Sequence, residues 1–306
     1  MASISVGDLF CERIYCVKIV VSGGTGFIGT PLVTRLRERG YEVVVLSRDP
    51  KHGVEWHPPS PGSWGSHVRE ADAVVNLAGA NLADGRWTKS RKEELTSSRV
   101  VPLQALVNAQ PRVLIEASAV GYYGYTSDET FDETAARGAG FLAELVEKWE
   151  TTAHEAESFA RVVLLRFGVV LDKSGGALKQ MLPPFYLGVG GPIGNGRQWF
   201  SWVDREDVIR AIEWAIDNQS ARGIYNVTAP NPVRNREFSR ALGRAIHRPA
   251  LLPVPAFALR LLFGRGLADE ALLGGQRAVP SRLQREGFTF RYPTLEASLA
   301  HIFTPR

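Results

Sequence analysis

The sequence predicts an α/β fold: a doubly wound parallel sheet of about six or seven strands, helices on both faces, and a small C-terminal lobe for a substrate. Three observations predict it. Short β-branched runs alternate with helix-periodic stretches from residue 17 to about 170. The first run ends in glycines that open a helix. After Val170 the alternation loosens into a stretch rich in Gly and Pro.

The elements follow in order. Val17–Val21 is a β-branched run ending at glycines and reads as a buried strand. From Phe27 to Glu38, Ile28, Leu32 and Leu36 recur at helical spacing, and Gly40 follows as a stop. Pro31 falls just past the first turn of that helix, where it is expected to remove a hydrogen bond. Glu42–Leu46 and Ala73–Leu77 are the second and third strands. A polar, charged helix is predicted over 88–109. Val113–Ala117 is a fourth strand, 139–158 a long helix and Val162–Arg166 a fifth strand. Residues 174–203, with Pro183-Pro184 and several glycines, read as a loop-rich part of the lobe. Helical stretches follow at 205–218 and 234–247, with Asp204 and Asp207 as capping residues. The expected organisation is an N-terminal extension at 1–16, a nucleotide-binding domain at 17–248 and a C-terminal segment at 249–306.

Composition excludes several classes. The 306 residues are 44% hydrophobic and 22% charged, as in an ordinary globular protein. The net charge of +4, from 36 basic and 32 acidic residues, is too dispersed to argue for nucleic acid. No apolar run reaches the roughly 18 residues of a membrane span, so no membrane partner is expected. The first 15 residues carry Asp8 and Glu12 and lack the order of a secretory signal. They read as a loose extension or a mis-assigned start. Cys11 and Cys16 have no matching Cys/His set, so neither a metal site nor a disulfide framework is implied, and a reducing, cytoplasmic setting fits. His154, His247 and His301 show no evident partners and read as surface or packing residues.

The chemistry concentrates in Gly23, Gly26 and Gly29. One glycine permits a tight turn, one lets the backbone approach a pyrophosphate, and one lets helix and strand pack closely. The helix N-terminus then offers free N–H groups to phosphates. Spacing alone fits a simple turn equally well; placement after a buried strand and before an amphipathic helix predicts a Rossmann-type dinucleotide site. The second strand ends Leu46-Ser47-Arg48-Asp49. Ser47 and Arg48 suit a 2′-phosphate and therefore NADP(H). Asp49, about 20 residues past Gly29, is the counter-argument, since an acid there holds the ribose of NAD; it also reads as a turn acid before Pro50. Asn76-Leu77-Ala78-Gly79 is either a surface for adenosine or an ordinary strand-end turn.

Together with Ser118–Gly124, Arg166–Leu171 and Trp202–Asp207, these motifs resemble the short-chain dehydrogenase/reductase superfamily in its extended or atypical branch. More narrowly, Leu182–Phe185, Gly188–Gly194, Gln198 and the tail from Leu273 to Tyr292 resemble the YfcH-type, NAD-dependent epimerase/dehydratase-like family. The resemblance spans roughly 17–303. It implies cofactor contacts from Gly23, Thr25, Gly26, Phe27, Ile28, Ser47, Arg48, Leu77 and Ala78, with Val170 at the nicotinamide end. Glu94 and Arg99, on the helix after the third strand, are further candidates of that kind; without the resemblance Arg99 is equally a solvated helix charge.

That superfamily uses a Tyr-x-x-x-Lys pair on a helix, whose lysine and cofactor lower the tyrosine's pKa for proton transfer. Here the helix reads Phe141-Leu142-Ala143-Glu144-Leu145-Val146-Glu147-Lys148. Phe141 and Leu145 stand at the matching spacing, and Lys148 lies one position off. Ser118, with Tyr123, is the candidate catalytic pair. The alternative is that one of Tyr122 and Tyr123 packs in the core and the other seals the cofactor. The expected function is an NADP(H)-dependent, epimerase-like oxidoreductase for a small polar substrate, or a non-catalytic NADP(H)-binding scaffold or redox sensor.

Overall fold

A computed structural model describes residues 17–304. The extension expected at 1–16, with Cys11 and Cys16, lies outside them. Strands β1 (Lys18–Ser22), β2 (Glu42–Ser47), β3 (Val54–Glu55), β4 (Ala73–Asn76), β5 (Val113–Ala119), β7 (Arg161–Phe167) and β11 (Gly223–Val227) form one sheet. Strand β6 (Thr126–Phe131) pairs with β13 (Gly275–Ala278), β8 (Val169–Leu171) with β10 (Trp202–Asp204), and β9 (Trp199–Phe200) with β12 (Val233–Arg234).

The sheet has seven strands in the order β11-β7-β5-β4-β1-β2-β3, and its pairings are parallel. Chain order reverses between β1 and β4, which opens a crevice at their C-terminal ends. Buried on both faces, strands such as β4 carry unbroken apolar runs instead of alternation. Helices α1 (Gly29–Glu38), α2 (Trp64–Glu70), α3 (Lys89–Asn108), α4 (Phe141–His154), α5 (Gly176–Tyr186), α6 (Arg205–Asp217), α7 (Asn235–Ala245) and α8 (Ala256–Phe263) are the longer connections. Helices α3 and α4 pack on each other, and α1 packs on α6. Arg35 pairs with Glu206 and Glu213, and Arg39 with Glu213 and Asp217, which fastens α1 to α6.

A second core gathers Leu178, Phe185, Phe200, Trp202, Phe238 and Leu299. It joins α5, α7 and the helix Leu295–Phe303 beside the main sheet.

Local expectations were met at some points and needed correction at others. Pro31, the third residue of α1, removes a helical hydrogen bond as expected: its neighbours Thr30 and Leu32 donate to Gly26 O and Ile28 O at 3.0 and 3.2 Å, and the bond missing between them is the one to Phe27 O. The carbonyl of Phe27 accepts instead from Arg205 Nη1 at 3.4 Å. Residues 174–203 contain α5 despite Pro183 and Pro184. Both prolines lie on its exposed face, where carbonyls left without an N–H meet solvent. Asp204 caps α6 by accepting from Glu206 N at 2.8 Å, but Asp207 does not cap. Its buried carboxylate accepts the backbone N–H groups of Arg291 and Tyr292 at 2.7 and 2.9 Å. Two of the histidines expected to lack partners have them: His154 Nδ1 is 2.8 Å from Glu157 Oε1, His301 Nδ1 is 3.2 Å from Asp204 Oδ2, and the His301 ring stacks on Tyr292 at 4.2 Å.

Candidate functional site

The turn from β1 into α1 is built for close backbone approach. Gly23 has φ +69°, and a Cβ there would lie 2.7 Å from the carbonyl oxygen of Leu77. At Gly29 a Cβ would lie 2.1 Å from the oxygen of Gly23. The loop can therefore fold against the end of β4 only with glycine at both positions. Gly26 N donates to Gly23 O at 3.0 Å, closing the turn. Ile28, the residue before α1, provides no side-chain cap. Among the described residues, the N–H groups of Thr25, Phe27 and Ile28 have no acceptor. Free N–H groups at a helix N-terminus, with the helix dipole behind them, form an anion cradle. Phe27 is held on the far side by Gly175 and Gly176, with the Arg205 guanidinium 5.1 Å from its ring centre.

At the end of β2, Ser47 Oγ accepts from Asp49 N at 3.1 Å. The Asp49 carboxylate accepts from Lys51 N at 3.0 Å and sits 3.2 Å from His52. Asp49 thus shapes the turn at Pro50. Arg48 is exposed and has no ion pair among the described residues. Leu77 and Ala78, half-buried, follow β4; Leu77 N donates to Ser22 O at 3.1 Å. Val170 is half-buried on β8, opposite Val203.

Arg99 and Glu94 lie on α3, which follows the turn after β4. Arg99 is buried, with Nη1 and Nη2 donating to the carbonyls of Leu95 and Ala80 at 3.0 Å each. It packs against Gly79 and so holds the turn after β4. Burial, reinforced by Arg91, lowers its pKa to about 10. Glu94 points away and pairs with Arg91 Nη1 at 2.6 Å.

Two buried polar networks lie beneath the strand ends. In one, Ser22 Oγ donates to Asn76 Oδ1, and Asn76 Nδ2 donates to both Glu116 oxygens at 2.9 Å. Trp149 Nε1 donates to Glu116 Oε1 at 2.7 Å. Burial drives the Glu116 carboxyl well above its ordinary pKa, against the pull of those two donors. In the other, Glu150 accepts from Arg166 Nε at 2.7 Å and from Ser118 Oγ at 2.6 Å. Tyr123 Oη donates to Asn226 Oδ1 at 2.8 Å and accepts from Arg166 Nη1 at 3.0 Å.

Both members of the expected catalytic pair belong to this second network. Ser118 and Tyr123 are both 3% exposed, and their hydroxyls are committed to buried partners. Burial pushes the Tyr123 phenol up to about 12, although Arg166 and Asn226 oppose it, which is the wrong direction for a proton donor at neutral pH. The alternative, a tyrosine packed in the core, is the arrangement found: Tyr123 stacks on Phe131 at 5.2 Å. The positions of the missing pair also pack. Phe141 meets Trp87 edge-on at 5.2 Å, Leu145 is buried, and Lys148 is exposed on the groove between α3 and α4.

A separate cleft of about 990 Å³ opens between the β9–β12 pair and the segment before β13. Arg197, Arg234, Arg236 and Arg260 line it against Asp128 and Asp269, so it is net basic. The Arg234 and Arg277 guanidiniums lie 3.9 and 4.6 Å from the Trp199 ring centre. Arg234 also pairs with Asp128 at 2.7 Å, which anchors one wall.

A family model described as the NAD dependent epimerase/dehydratase family matches residues 19–228, and a domain of unknown function (DUF1731) matches 254–302. This chain belongs to the NAD dependent epimerase/dehydratase family. Epimerase family protein Mb2239 of Mycobacterium bovis is 44% identical over 294 residues, covering 94% of this chain and 97% of that one. The crystal structure of human epimerase family protein SDR39U1 (isoform 2) with NADPH superposes with a TM-score of 0.84 at 35% identity, over 94% of this chain and 99% of that one. The nucleoside-diphosphate sugar epimerase of Corynebacterium glutamicum has a TM-score of 0.77 at 31% identity, over 94% of this chain and 58% of that one.

Within this member of the epimerase family, the sequence did not single out Glu116, Glu150 or Asn226, nor the arginine cleft. A signal for the networks was present: Glu116 and Arg166 each interrupt an otherwise apolar buried strand. A charge in such a run requires a partner from another element. The cleft had no comparable signal, because its arginines are spread from 197 to 260.

Proposed function

We propose that the chain is an NADP(H)-binding, epimerase-like oxidoreductase that seats a small, anion-bearing polar substrate in the arginine cleft. The glycine cradle carries this reading: unpaired N–H groups at the start of α1, on a turn that glycines at 23 and 29 let pack tightly against β4 and itself, suit a pyrophosphate. Ser47 and the unpaired Arg48 suit a 2′-phosphate, while Asp49 is engaged in its own turn. Human SDR39U1, with its bound NADPH, supports the same choice. Bound NADP(H) supplies or accepts hydride; the chain binds and orients it. The basic cleft suits phosphate or carboxylate groups, in keeping with the nucleoside-diphosphate sugar epimerase of similar fold.

Fluorescence titration with NADPH and NADH tests the cofactor half, with tighter NADPH binding expected. A panel of nucleotide sugars and carbonyl acids, followed at the nicotinamide absorbance, tests the substrate half. Arg197→Ala with Arg236→Ala is expected to raise KM about tenfold and leave the NADPH Kd unchanged. Tight NADPH binding with no turnover across the panel removes the enzymatic reading.

A second reading, a non-catalytic redox sensor, is favoured by the buried hydroxyls of Ser118 and Tyr123. It predicts a partner captured differently by the NADPH-loaded and NADP+-loaded protein. Equal capture in both states removes it.

A further inference from the structure

The C-terminal lobe carries an apolar surface that neither the cradle nor the cleft uses. Leu187, Leu251, Phe257 and Leu261 are 78%, 80%, 72% and 71% exposed, and Leu252 and Leu262 are also exposed. The patch is continuous through the backbone. Arg248 Nε donates to Tyr186 O at 3.2 Å. Val254 N donates to Pro192 O at 2.8 Å, and Gly194 N donates to Val254 O at 2.9 Å, tying residues 248–254 to 186–194. Helix α8 continues from there. It turns Leu259 and Phe263 inward, while Phe257 and Leu261, four residues apart, point out with Leu262. Arg86 holds its C-terminal end through the carbonyls of Leu261 and Leu262.

The charge around this patch is mostly basic. Residues 238–268 contain five arginines and no Asp or Glu, and residues 173–203 contain three basic residues and no acid. Arg260 is neutralised by Asp269 at 2.8 Å and Arg244 is near Glu296 at 3.5 Å. Lys179, Arg248 and Arg265 are exposed and have no carboxylate partner among the described residues. Lys179 shares a face of α5 with Pro183 and Tyr186.

We propose that this face adsorbs to an anionic membrane surface, with α8 in the interfacial plane. Clustered exposed apolar side chains mark interaction surfaces. Leucine and phenylalanine flanked by arginine are what acyl chains and anionic headgroups accept together. A second copy of the chain is a poorer occupant, because symmetric contact sets the unpaired basic residues against themselves. The patch is also a protruding helix rather than a groove, and its side chains offer no directional hydrogen bonds for a protein partner. Helix α8 is far too short to cross a bilayer, so the contact is adsorption. Among the described residues no helix is long and apolar enough to cross a membrane.

Flotation of the full chain with vesicles tests the proposal. Vesicles of phosphatidylcholine with 30% phosphatidylglycerol are expected to bind at least fivefold more protein than phosphatidylcholine alone, with most of the gain lost at 0.5 M NaCl. Phe257→Ser/Leu261→Ser/Leu262→Ser is expected to reduce binding at least tenfold, with NADPH affinity and thermal midpoint preserved. Arg248→Glu/Arg265→Glu is expected to abolish the preference for anionic lipid. Three results each overturn the proposal: no binding of the wild type to anionic vesicles, equal binding by the triple serine variant, or a wild-type dimer that the serine substitutions dissociate. The last result makes the patch an interface between copies.

Discussion

Arg166 on β7 meets Glu150 on α4 as a two-pronged ion pair, Nε to Oε1 at 2.7 Å and Nη2 to Oε2 at 2.5 Å, with both side chains almost wholly buried. Burial lowers the Arg166 pKa, and the Glu150 hydrogen bond and charge more than offset it, so the net shift is upward. The pair locks α4 to the sheet behind the crevice. Removing one partner strands the other charge in the core, at a cost of about 3–5 kcal/mol. Glu150→Gln is therefore expected to lower the unfolding free energy by about that amount in urea titration. Glu150→Leu/Arg166→Met, which removes both charges, is expected to cost less than either single replacement. A double variant as unstable as the sum of the singles refutes the account.

Ser118→Ala and Tyr123→Phe follow from the same network. Each is expected to destabilise the fold by about 1–3 kcal/mol, because a buried donor or acceptor loses its partner. NADPH affinity is expected to stay within about twofold of wild type. A phenol at about 12 stays protonated across any ordinary assay range, so Tyr123 gives the activity no pH limb below pH 10. A Tyr123→Phe variant with wild-type stability and abolished turnover returns the residue to catalysis.

The difference between what was legible and what was not has a physical basis. Strands β1, β4 and β7 were readable because burial on both faces leaves consecutive apolar residues, such as Ile19–Val21 and Val162–Leu165. The cradle was readable because backbone contact demands glycine at fixed spacing. Strand β11 was not, since Asn226 breaks its apolar run in order to accept from Tyr123 and donate to Val279 O at 3.0 Å. The partner of Ser118 was not legible for a related reason. Its position at a strand end was visible, but alternation along β5 sends its hydroxyl to Glu150, a residue one helix away. The short pairs β8–β10, β9–β12 and β6–β13 rest on long-range contacts that no local pattern encodes.

Arg48 is predicted to set cofactor preference. Its guanidinium, exposed and unpaired beside Ser47, suits a dianionic 2′-phosphate and has no counterpart on NADH. Arg48→Ala is expected to weaken NADPH about tenfold, or ~1.4 kcal/mol, and NADH by less than twofold. Parallel titrations of both nucleotides measure the ratio. An equal loss for both places Arg48 outside the phosphate site.

Glu116 is predicted to make stability depend on pH in an unusual direction. Burial raises its folded pKa well above the unfolded carboxyl, against Asn76 and Trp149. A raised carboxyl contributes stability that is fully present below the unfolded pKa, about 4.3, and is lost as pH rises toward the folded value. Glu116→Gln cannot ionise and resembles the protonated acid in shape. The stability of the variant relative to wild type is therefore expected to increase from about pH 4.3 upward, by at most ~1.4 kcal/mol per pH unit, until the folded carboxyl ionises. Groups elsewhere titrate alike in both proteins and cancel in the difference. Urea unfolding of the two at pH 4, 6 and 8 measures it. Parallel stability curves mean that Glu116 is ionised with an ordinary pKa, held by Asn76, Trp149 and the charge of Arg99.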